Sequence, residues 1–350
     1  MRSSYKAGDV TLLLKDITGL VQPLGAEERE KRIQSGTHYC EMLPLEYVPT
    51  ERYMSTYYSA VENYSDVTAN AVAACAKRIF AEKGKDAVLV SLARAGTPVG
   101  ILIKRYIRYA FGADIPHYSI SIIRGRGIDG NAVRYILERH PAESIRFVDG
   151  WTGKGAITRQ LEEAMRDFPA IDPSLAVLSD PAGTARICGT RGDLLIASSC
   201  LNSTVSGLIS RTFLRSDIIG ENDFHGAAYY GELADSDLTY HFIDSVAGKF
   251  PKPEEITACE ELPDGRGLAE TVRIAEKLGV TDINLVKPGI GEATRVLLRR
   301  LPELVLVRSL HDERHLGHLY RLAEEKGVPV KEYPLENYLA CGVIKKLADC

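Results

Sequence analysis

Short apolar runs alternate along the chain with longer helical or loop-like stretches. Runs of strand length stand at 87–92, 117–123, 145–149, 175–180 and 193–198. Strands alternating with helices are typical of a parallel sheet covered by helices on both faces. An alanine-rich helix is predicted from Tyr57 to Lys83, and the weakly periodic residues before about Pro49 are predicted to form an N-terminal arm.

The amino-acid composition of the chain changes near residue 250. The segment "GKFPKPEEITACEELPDGRG" is rich in Pro, Gly and acidic residues, as a linker would be. After it, three helix-like runs alternate with three short strand-like runs, which is enough for a small α/β domain. We therefore predict an α/β fold with a parallel-sheet domain at 1–250, a linker at 251–267 and a small α/β sandwich at 268–350.

Composition narrows the class of protein. The chain has 350 residues, 45% of them hydrophobic, 26% charged, and a net charge of −4. An acidic total excludes a surface built throughout for polyanions, but it leaves room for a local basic face. No apolar run approaches the roughly 20 residues of a membrane span, and the N-terminus lacks the apolar core of a secretory signal. We expect a cytoplasmic protein that does not associate with membranes.

Seven cysteines are scattered along the chain without zinc-finger spacing, at Cys40, Cys75, Cys188, Cys200, Cys259, Cys341 and Cys350. The run "HDERHLGH" (311–318) only superficially resembles a zinc-binding helix, because Asp312 stands where glutamate would be needed. We predict no metal site formed by protein side chains alone.

The run "RFVDGWTGKGA" (146–156) is the first candidate site. An apolar strand ends at Asp149, a loop of small residues follows, and a helix-like run begins at once. Backbone N–H groups in such a loop and at a helix start bind anions, and Lys154 and Thr152 add donors. This favours a sugar phosphate, with Asp149 accepting hydrogen bonds from the sugar hydroxyls. A tight strand–helix turn with a capping role is the alternative.

Two further loops suit anions. In "SLARAGTPVG", Arg94, Ala95 and Gly96 lie between a strand and a helix, and parallel strands present such loops to one crevice. In "IIRGRGIDG", Arg124 and Arg126 stand in a Gly-rich loop that could close over a doubly phosphorylated ligand. A solvated hairpin tip is the alternative for this second loop.

These loops together resemble the type I phosphoribosyltransferase fold. The runs at 189–212 and 223–237 resemble, more closely, a bacterial family from tellurium-resistance and stress-response gene clusters, labelled as the cysteine protease StiP. Its members carry a C-terminal Pelota-type RNA-binding domain. The resemblance implies phosphoribosyl pyrophosphate (PRPP) as ligand, with pyrophosphate at the 94–96 loop and the ribose phosphate at the 149–155 loop. Gly150 replaces a second acid of the usual pattern, and Ala95 replaces a glycine.

The resemblance implies a glycosyltransferase that passes a phosphoribosyl group to an unidentified acceptor, with Mg²⁺ bound to the pyrophosphate. We also expect a homodimer. The expected catalytic residues are Asp149, Arg94, Arg124 and Arg126. The expected substrate-binding residues are Ala95, Gly96, Gly150, Thr152, Gly153, Lys154, Gly155, Asn202, Ser203 and Thr204.

Two alternatives belong to other functional classes. Cys200 and His225 would form the nucleophile and base of a cysteine hydrolase if the fold brought them together. A buried, inert Cys200 is the competing interpretation. A protein that only binds nucleotides or RNA would need the loops and no catalysis.

The run "KPGIGEATRVLLRR" (287–300) is the candidate RNA site. It reads as the end of a strand, a glycine-containing turn and a basic helix, and it resembles the RNA-contacting loop of Pelota-type proteins. A strand–helix turn with a basic helix face is the alternative. By resemblance, structured RNA would contact Lys287, Gly289, Gly291, Glu292, Thr294 and Arg295.

Overall fold

The computed structural model describes residues 1–46, 48 and 50–345. The last five positions of the predicted second domain, Cys350 among them, lie outside these residues. Two main β-sheets, each packed against helices, organise the chain. The first sheet has strand order β1-β4-β3-β6-β7-β8, every neighbouring pair is parallel, and β5 pairs antiparallel with β4. Its strands are β1 (Thr11–Leu12), β3 (Val88–Ala93), β4 (His117–Ile123), β5 (Gly127–Ile128), β6 (Ile145–Trp151), β7 (Leu175–Ser179) and β8 (Ile187–Thr190).

Helices cover both faces of this sheet, as the alternation of strands and helices predicts. The N-terminal segment adds one short helix and a two-stranded ribbon in which β2 pairs with β9. These elements are β2 (Lys15–Asp16), α1 (Ala26–Gln34), α2 (Glu51–Lys83), α3 (Gly96–Phe111), α4 (Gly130–Leu137), α5 (Ala156–Ala164), β9 (Gly226–Ala227) and α6 (Thr239–Ala247). The predicted α/β parallel-sheet class is therefore confirmed.

Alternating side chains of the strands fill two separate cores. On β3, Leu89 packs with α2, α3 and α6, whereas Val88, Val90 and Leu92 pack with α4 and α5 on the opposite face. Both faces are buried, so the strands read as continuous apolar runs. The packing of α2 on β8 is especially close, because a Cβ at Gly189 would lie 2.5 Å from the Ala71 side chain.

The apolar run at 193–198 is not a strand, and that prediction was wrong. The sixth parallel strand is β8, and the chain leaves the sheet after it. The run is apolar because it is buried as irregular chain: Leu195 and Ile196 are each only 1% exposed and join the core around α2. Its first residue, Asp193, makes the contact to the second part of the chain described below.

The second sheet has strand order β10-β13-β11-β12 and three helices. Only β11 and β12 pair in parallel. Its elements are α7 (Arg266–Lys277), β10 (Val286–Pro288), α8 (Ile290–Arg299), β11 (Pro302–Val307), α9 (Glu313–Glu325), β12 (Val330–Glu332) and β13 (Ala340–Ile344).

The second sheet docks on the first through buried polar contacts. The Asp193 carboxylate accepts hydrogen bonds from the backbone N–H groups of Ile290, at 3.0 Å, and Leu339, at 2.9 Å. Tyr338 donates its hydroxyl to the Gly153 carbonyl at 2.7 Å. Burial raises the pKa of Asp193 to about 6. The contact therefore falls directly on the glycine loop that follows β6. Within the described residues, no helix has the length and apolar character to cross a membrane.

Candidate functional site

Three neighbouring strands bring the predicted loops to one edge of the first sheet. In the order β4-β3-β6, the strands are parallel, so their carboxyl ends point the same way. Arg124 follows β4, Arg94 follows β3, and Asp149 lies near the end of β6. The turn after β3 contains a cis peptide bond between Ala93 and Arg94.

A cavity of about 190 Å³ lies at this edge, between the first sheet and the second. One wall is formed by the end of β6, the glycine loop and the start of α5, and the other by the end of β10 and the start of α8. The side chains and backbone that line it belong to Ala95, Arg124, Asp149, Trp151, Thr152, Gly153, Lys154, Gly155, Ala156, Ile157, Thr158, Lys287, Pro288, Glu292 and Arg295.

Asp149 lies on the floor of the cavity. One of its oxygens accepts the Gly150 N–H at 2.8 Å. Burial raises the pKa of Asp149 to about 7, against an ordinary value of 3.8, and that hydrogen bond only partly opposes the shift. The turn after β3 approaches closely, because a Cβ at Gly96 would lie 2.5 Å from the Val148 carbonyl oxygen. Only glycine allows the first turn of α3 to come so near to β6.

The glycine loop is shaped by contacts on both sides. Gly155 has φ +69° and its Cβ position would lie 2.9 Å from Thr184, so glycine is required there. The Thr152 hydroxyl donates to the buried Asp180 carboxylate, so it is directed at the neighbouring strand end rather than at a ligand. The loop therefore offers backbone N–H groups, and the hydroxyl of Thr152 fixes its position.

Lys154 reaches across to the second sheet. Its ammonium donates to the carbonyl oxygens of Ile283 and Val286, the latter at 3.2 Å. Burial, with the nearby positive charge of Lys287, lowers the pKa of Lys154 to about 8. The side chain predicted to grip phosphate thus also joins the two halves of the cavity.

Thr158, in the first turn of α5, has an unmet hydrogen bond. Its hydroxyl is buried, has no partner among the described residues, and belongs to a side chain that lines the cavity. A buried polar group without a partner costs about 1–3 kcal/mol. It stands beside the helix N-terminus, where backbone N–H groups and the helix dipole favour an anion.

The charged groups of the cavity do not balance. Arg124, Lys154, Lys287 and Arg295 face only two carboxyl groups, Asp149 and Glu292. Burial opposes ionisation of Glu292, but the neighbouring Arg295 and Lys287 hold its pKa below the ordinary value. Glu292 also accepts hydrogen bonds from Trp151, at 3.3 Å, and Arg295, at 3.2 Å. The cavity therefore keeps a surplus of positive charge.

Arg94 is engaged by an acid that the sequence analysis missed. Its guanidinium donates to Glu46 at 3.0 Å, to the Asn202 side chain at 3.1 Å and to the Ile209 carbonyl at 3.1 Å. Glu46 also accepts the N–H and hydroxyl of Ser203. Glu46 lies in the weakly periodic N-terminal segment, where nothing in the local sequence distinguishes it from a solvated glutamate.

Two of the predicted substrate-binding residues, Asn202 and Ser203, belong to this network rather than to the cavity lining. Asn202 and Ser203 bind Arg94 and Glu46 as described, and Thr204 is buried, 2% exposed. The Asn202 and Ser203 side chains hold the 200–204 segment to Arg94 and Glu46, whereas the buried Thr204 hydroxyl has no hydrogen-bond partner among the described residues. Whether they contact an acceptor stays a prediction.

Arg124 and Arg126 point to different places. The 124–127 turn is the tip of the β4–β5 hairpin, and Gln160 of α5 binds its Gly125 N–H at 2.7 Å. Arg124 lines the cavity and donates to Asn284 of the second part at 3.2 Å. Arg126 pairs with Glu41 at 2.9 Å and lines a separate, open cleft of about 680 Å³. Arg126 therefore does not join Asp149 in this structure.

Cys200 and His225 have different surroundings. Cys200 is completely buried in the core cluster around α2. The His225 ring binds the Ser121 hydroxyl at 2.9 Å, and the His225 backbone N–H donates to the Asp129 carboxylate at 2.6 Å. No hydrogen bond joins His225 to Cys200 among the residues described. Because His225 faces the open cleft, the structure does not assemble the expected nucleophile and base.

A different cysteine and histidine do touch. His38 Nδ1 lies 3.0 Å from Cys40 Sγ, and His38 Nε2 lies 3.1 Å from the Arg124 carbonyl oxygen. Cys40 is buried, and burial raises the pKa of its thiol to about 11. A thiol with a raised pKa is a poor nucleophile at neutral pH. The spacing of two residues in "HYC" is the only sequence signal for this pair.

The predicted RNA-contacting set lies where the two sheets meet. Gly289, Gly291 and Thr294 are buried: Gly289 faces Asp193, and Gly291 faces the Ser199 and Trp151 side chains. The Thr294 hydroxyl binds the Ile290 carbonyl and His318. The remaining members are Lys287, Glu292 and Arg295, which line the cavity.

Sequence comparisons identify relatives over nearly the whole chain. A family described as "Tellurite-like stress resistance cysteine protease StiP" matches residues 3–247, and the "PELOTA RNA binding domain" matches residues 265–346. The chain is similar to the "Cysteine protease StiP" of Acinetobacter baylyi, with 37% identity over 98% of this chain and 94% of that protein.

Similarity to solved structures is more distant. A hypoxanthine-guanine phosphoribosyltransferase of Bacillus anthracis matches with 14% identity and a TM-score of 0.26, over 35% of this chain and 71% of that one. A xanthine-guanine-hypoxanthine phosphoribosyltransferase of Helicobacter pylori matches with 16% identity and a TM-score of 0.24, over 33% and 70%. Likenesses at such TM-scores carry no conclusion about function.

The raised pKa of Asp149 predicts a pH-dependent stability. Between its ordinary pKa of 3.8 and about 7, the unfolded chain releases a proton that the folded chain retains. The free energy of unfolding should therefore fall as pH rises through this window, by at most about 1.4 kcal/mol per pH unit for this proton. Asp149→Asn removes the effect, so the variant should gain stability over the wild type at pH 8 relative to pH 5, as measured by urea denaturation.

The exposed Asp235 provides the matched control, because Asp235→Asn should give the same small difference from wild type at both pH values. An Asp149→Asn variant whose difference from wild type is equal at pH 5 and pH 8 would show that Asp149 ionises normally.

Proposed function

The chain belongs to the StiP family of tellurite-like stress resistance, and we propose that this member binds PRPP and transfers its phosphoribosyl group to an unidentified acceptor, releasing pyrophosphate. The observation that carries the proposal is the cavity at the carboxyl edge of the first sheet. There a strand-end carboxyl group, Asp149, stands beside an unsatisfied hydroxyl, a helix N-terminus and a surplus of positive charge. A phosphorylated sugar satisfies all four features at once.

In this proposal the 5-phosphate occupies the N-terminal end of α5. Backbone N–H groups of the 153–157 segment and the Thr158 hydroxyl donate to the phosphate oxygens, as at other helix-start anion sites. Asp149 accepts hydrogen bonds from the ribose hydroxyls. Because phosphate brings negative charge next to Lys154, binding should also raise the pKa of that lysine back toward its ordinary value.

Pyrophosphate departure places negative charge near the turn after β3. As the bond from the anomeric carbon to the pyrophosphate oxygen breaks, the sugar gains oxocarbenium character and the leaving oxygen gains charge. In this proposal Arg124, whose guanidinium lines the cavity, and the backbone N–H of Ala95 stabilise that oxygen. Arg94 acts through the turn that Glu46 and Asn202 hold in place. Arg126 has no part in this step, because it pairs with Glu41 in the separate cleft.

The protein groups that could assist a Mg²⁺ ion are few. The described residues contain no cluster of three or more His, Cys, Asp or Glu side chains suited to a metal, and only Asp149 and Glu292 supply carboxyl groups to the cavity. Mg²⁺ is commonly held by one or two carboxylates and substrate phosphates. We therefore propose that Asp149 would be the protein group that helps to hold a Mg²⁺ ion bound to the pyrophosphate, and that such an ion would supply positive charge to the leaving group.

A cysteine hydrolase is the second candidate, because the family description and the relative's name both specify one. The contact between His38 and Cys40 is the structural observation in its favour. Against it stand the raised thiol pKa values of Cys40, Cys75, Cys188 and Cys341, each caused first by burial. A cavity rich in cations also has no role in cleaving a peptide bond.

Structured RNA remains a proposed partner of the second part of the chain, on the strength of the Pelota family match. Because Gly289, Gly291 and Thr294 are buried at the contact between the sheets, RNA binding by the whole loop would require that contact to open.

The Thr158 hydroxyl gives the sharpest test of the PRPP proposal. Thr158→Val keeps the shape of the side chain and removes its hydrogen-bonding group. It should weaken PRPP binding by about 1 kcal/mol, roughly fivefold, without lowering the stability of the free protein. Isothermal titration calorimetry and thermal melts measure the two effects separately.

Thr184→Val is the matched control, because the Thr184 hydroxyl is also buried without a partner and lies outside the cavity lining. Its PRPP affinity should equal that of wild type. The proposal fails if the wild-type protein does not bind PRPP, and the phosphate placement fails if both threonine variants bind equally well.

Cysteine substitutions separate the two candidate functions. If the chain is a phosphoribosyltransferase, Cys40→Ser and Cys200→Ser should keep most of the pyrophosphate release seen with PRPP and a cell extract as the acceptor source, since the displacement needs no thiolate. A hydrolase would lose its turnover in one of them, because a serine hydroxyl is a far weaker nucleophile at neutral pH. Peptide cleavage by the purified wild type that Cys40→Ser or Cys200→Ser, together with the matching histidine variant, abolishes would refute the transferase.

A further inference from the structure

Lys287 carries a positive charge that no hydrogen bond or ion pair with a described residue compensates. Its side chain is half-buried, lines the cavity, and forms neither a hydrogen bond nor an ion pair with any described residue. Glu292, the nearest acid, already accepts hydrogen bonds from Arg295 and Trp151. Placing a cation in a partly dry cavity without a partner is unfavourable unless a ligand supplies the opposite charge.

The backbone of the second sheet fixes where this charge points. Lys287 is the central residue of β10, and it pairs with Gly342 of β13, the inner strand beside it. Burial is the first cause that lowers the pKa of Lys287, and nearby Arg124, Arg300 and Arg295 lower it further, although Glu292 opposes them. The ammonium is thus held, by a rigid strand, among like charges at a cavity wall.

The opposite wall offers the complementary half of an anion site. Thr158 has a hydroxyl without a hydrogen-bond partner among the described residues there, and the N-cap residue Gly155 has no side chain to cap the first backbone N–H groups of α5. The two walls are already joined by the bonds from Lys154 to the Ile283 and Val286 carbonyl oxygens. Donors on both walls could therefore bind a phosphate that lies between them.

We propose that Lys287 of the second domain binds the phosphate of the same ligand that the glycine loop and α5 of the first domain bind, so that the ligand site is shared by both domains. This inference rests on the proposed function and adds to it a residue that the sequence analysis assigned to RNA. The ligand class is a sugar phosphate whose phosphate is bound by residues of both domains at once. In this chain, ligand binding and the contact between the sheets are therefore coupled.

The test uses ribose 5-phosphate as the probe and calorimetry on this 350-residue chain. Lys287→Met keeps the length of the side chain and removes its charge, and it should weaken binding about tenfold or more, the scale of a hydrogen bond to a charged group. Lys331→Met is the control, because Lys331 is an exposed lysine of the same sheet on β12. It removes the same charge from the protein and should leave the affinity within about twofold of wild type.

Thermal melts exclude a merely structural role. Since the half-buried Lys287 ammonium forms no hydrogen bond or ion pair with a described residue and lies among like charges, Lys287→Met should be at least as stable as wild type in the absence of ligand. Lys287→Arg, which keeps a cation there, should recover part of the affinity. If the wild type binds ribose 5-phosphate, Thr158→Val weakens it and Lys287→Met does not, the shared site is refuted while the proposed function stands. If the wild type binds neither ribose 5-phosphate nor PRPP, both fail together.

Discussion

The arrangement of this protein depends on an excess of positive charge in a small cavity between two sheets. Four cationic side chains and two carboxyl groups line it, and burial holds one of those carboxyl groups, Asp149, partly protonated near neutral pH. Water would compensate such charges in an exposed cleft, but a cavity of about 190 Å³ holds few water molecules. The protein relieves part of the imbalance by pointing Lys154 at carbonyl oxygens of the second sheet. A phosphorylated ligand would relieve the rest.

Buried carboxylates outside the cavity set its shape. Asp180 accepts hydrogen bonds from the Thr152 hydroxyl and from the Thr184 and Ala185 N–H groups, and it pairs with Arg191. It thereby fixes the glycine loop against the end of β7. Asp193 does the same for the second sheet by binding two of its N–H groups. Substituting either acid would disturb the cavity without touching a ligand.

Much of the fold was readable from the sequence because local signals agreed with the tertiary structure. The apolar runs of β3, β4, β6 and β7 are buried on both faces, and the loops after them contain the glycines and charges that mark strand ends. The run at 193–198 misled for a physical reason. It is buried as irregular chain against α2 and the second sheet, and burial alone gives it the composition of a strand.

The site was less readable, because several of its partners come from distant parts of the chain. Nothing near Glu46 in sequence indicates that it would hold Arg94 and Ser203. No local signal places Lys287 beside the glycine loop either, because only the docking of the two sheets brings them together.

 The sequence predicts Lys287 as an RNA contact rather than as part of the cavity, because the contact between the sheets has no local sequence signal. A crystal structure of this 350-residue chain with PRPP tests the shared cavity most directly. The account predicts the 5-phosphate between the start of α5 and Lys287, with the ribose hydroxyls at Asp149. PRPP bound elsewhere, or a cavity that stays without ligand at saturating PRPP, would contradict it.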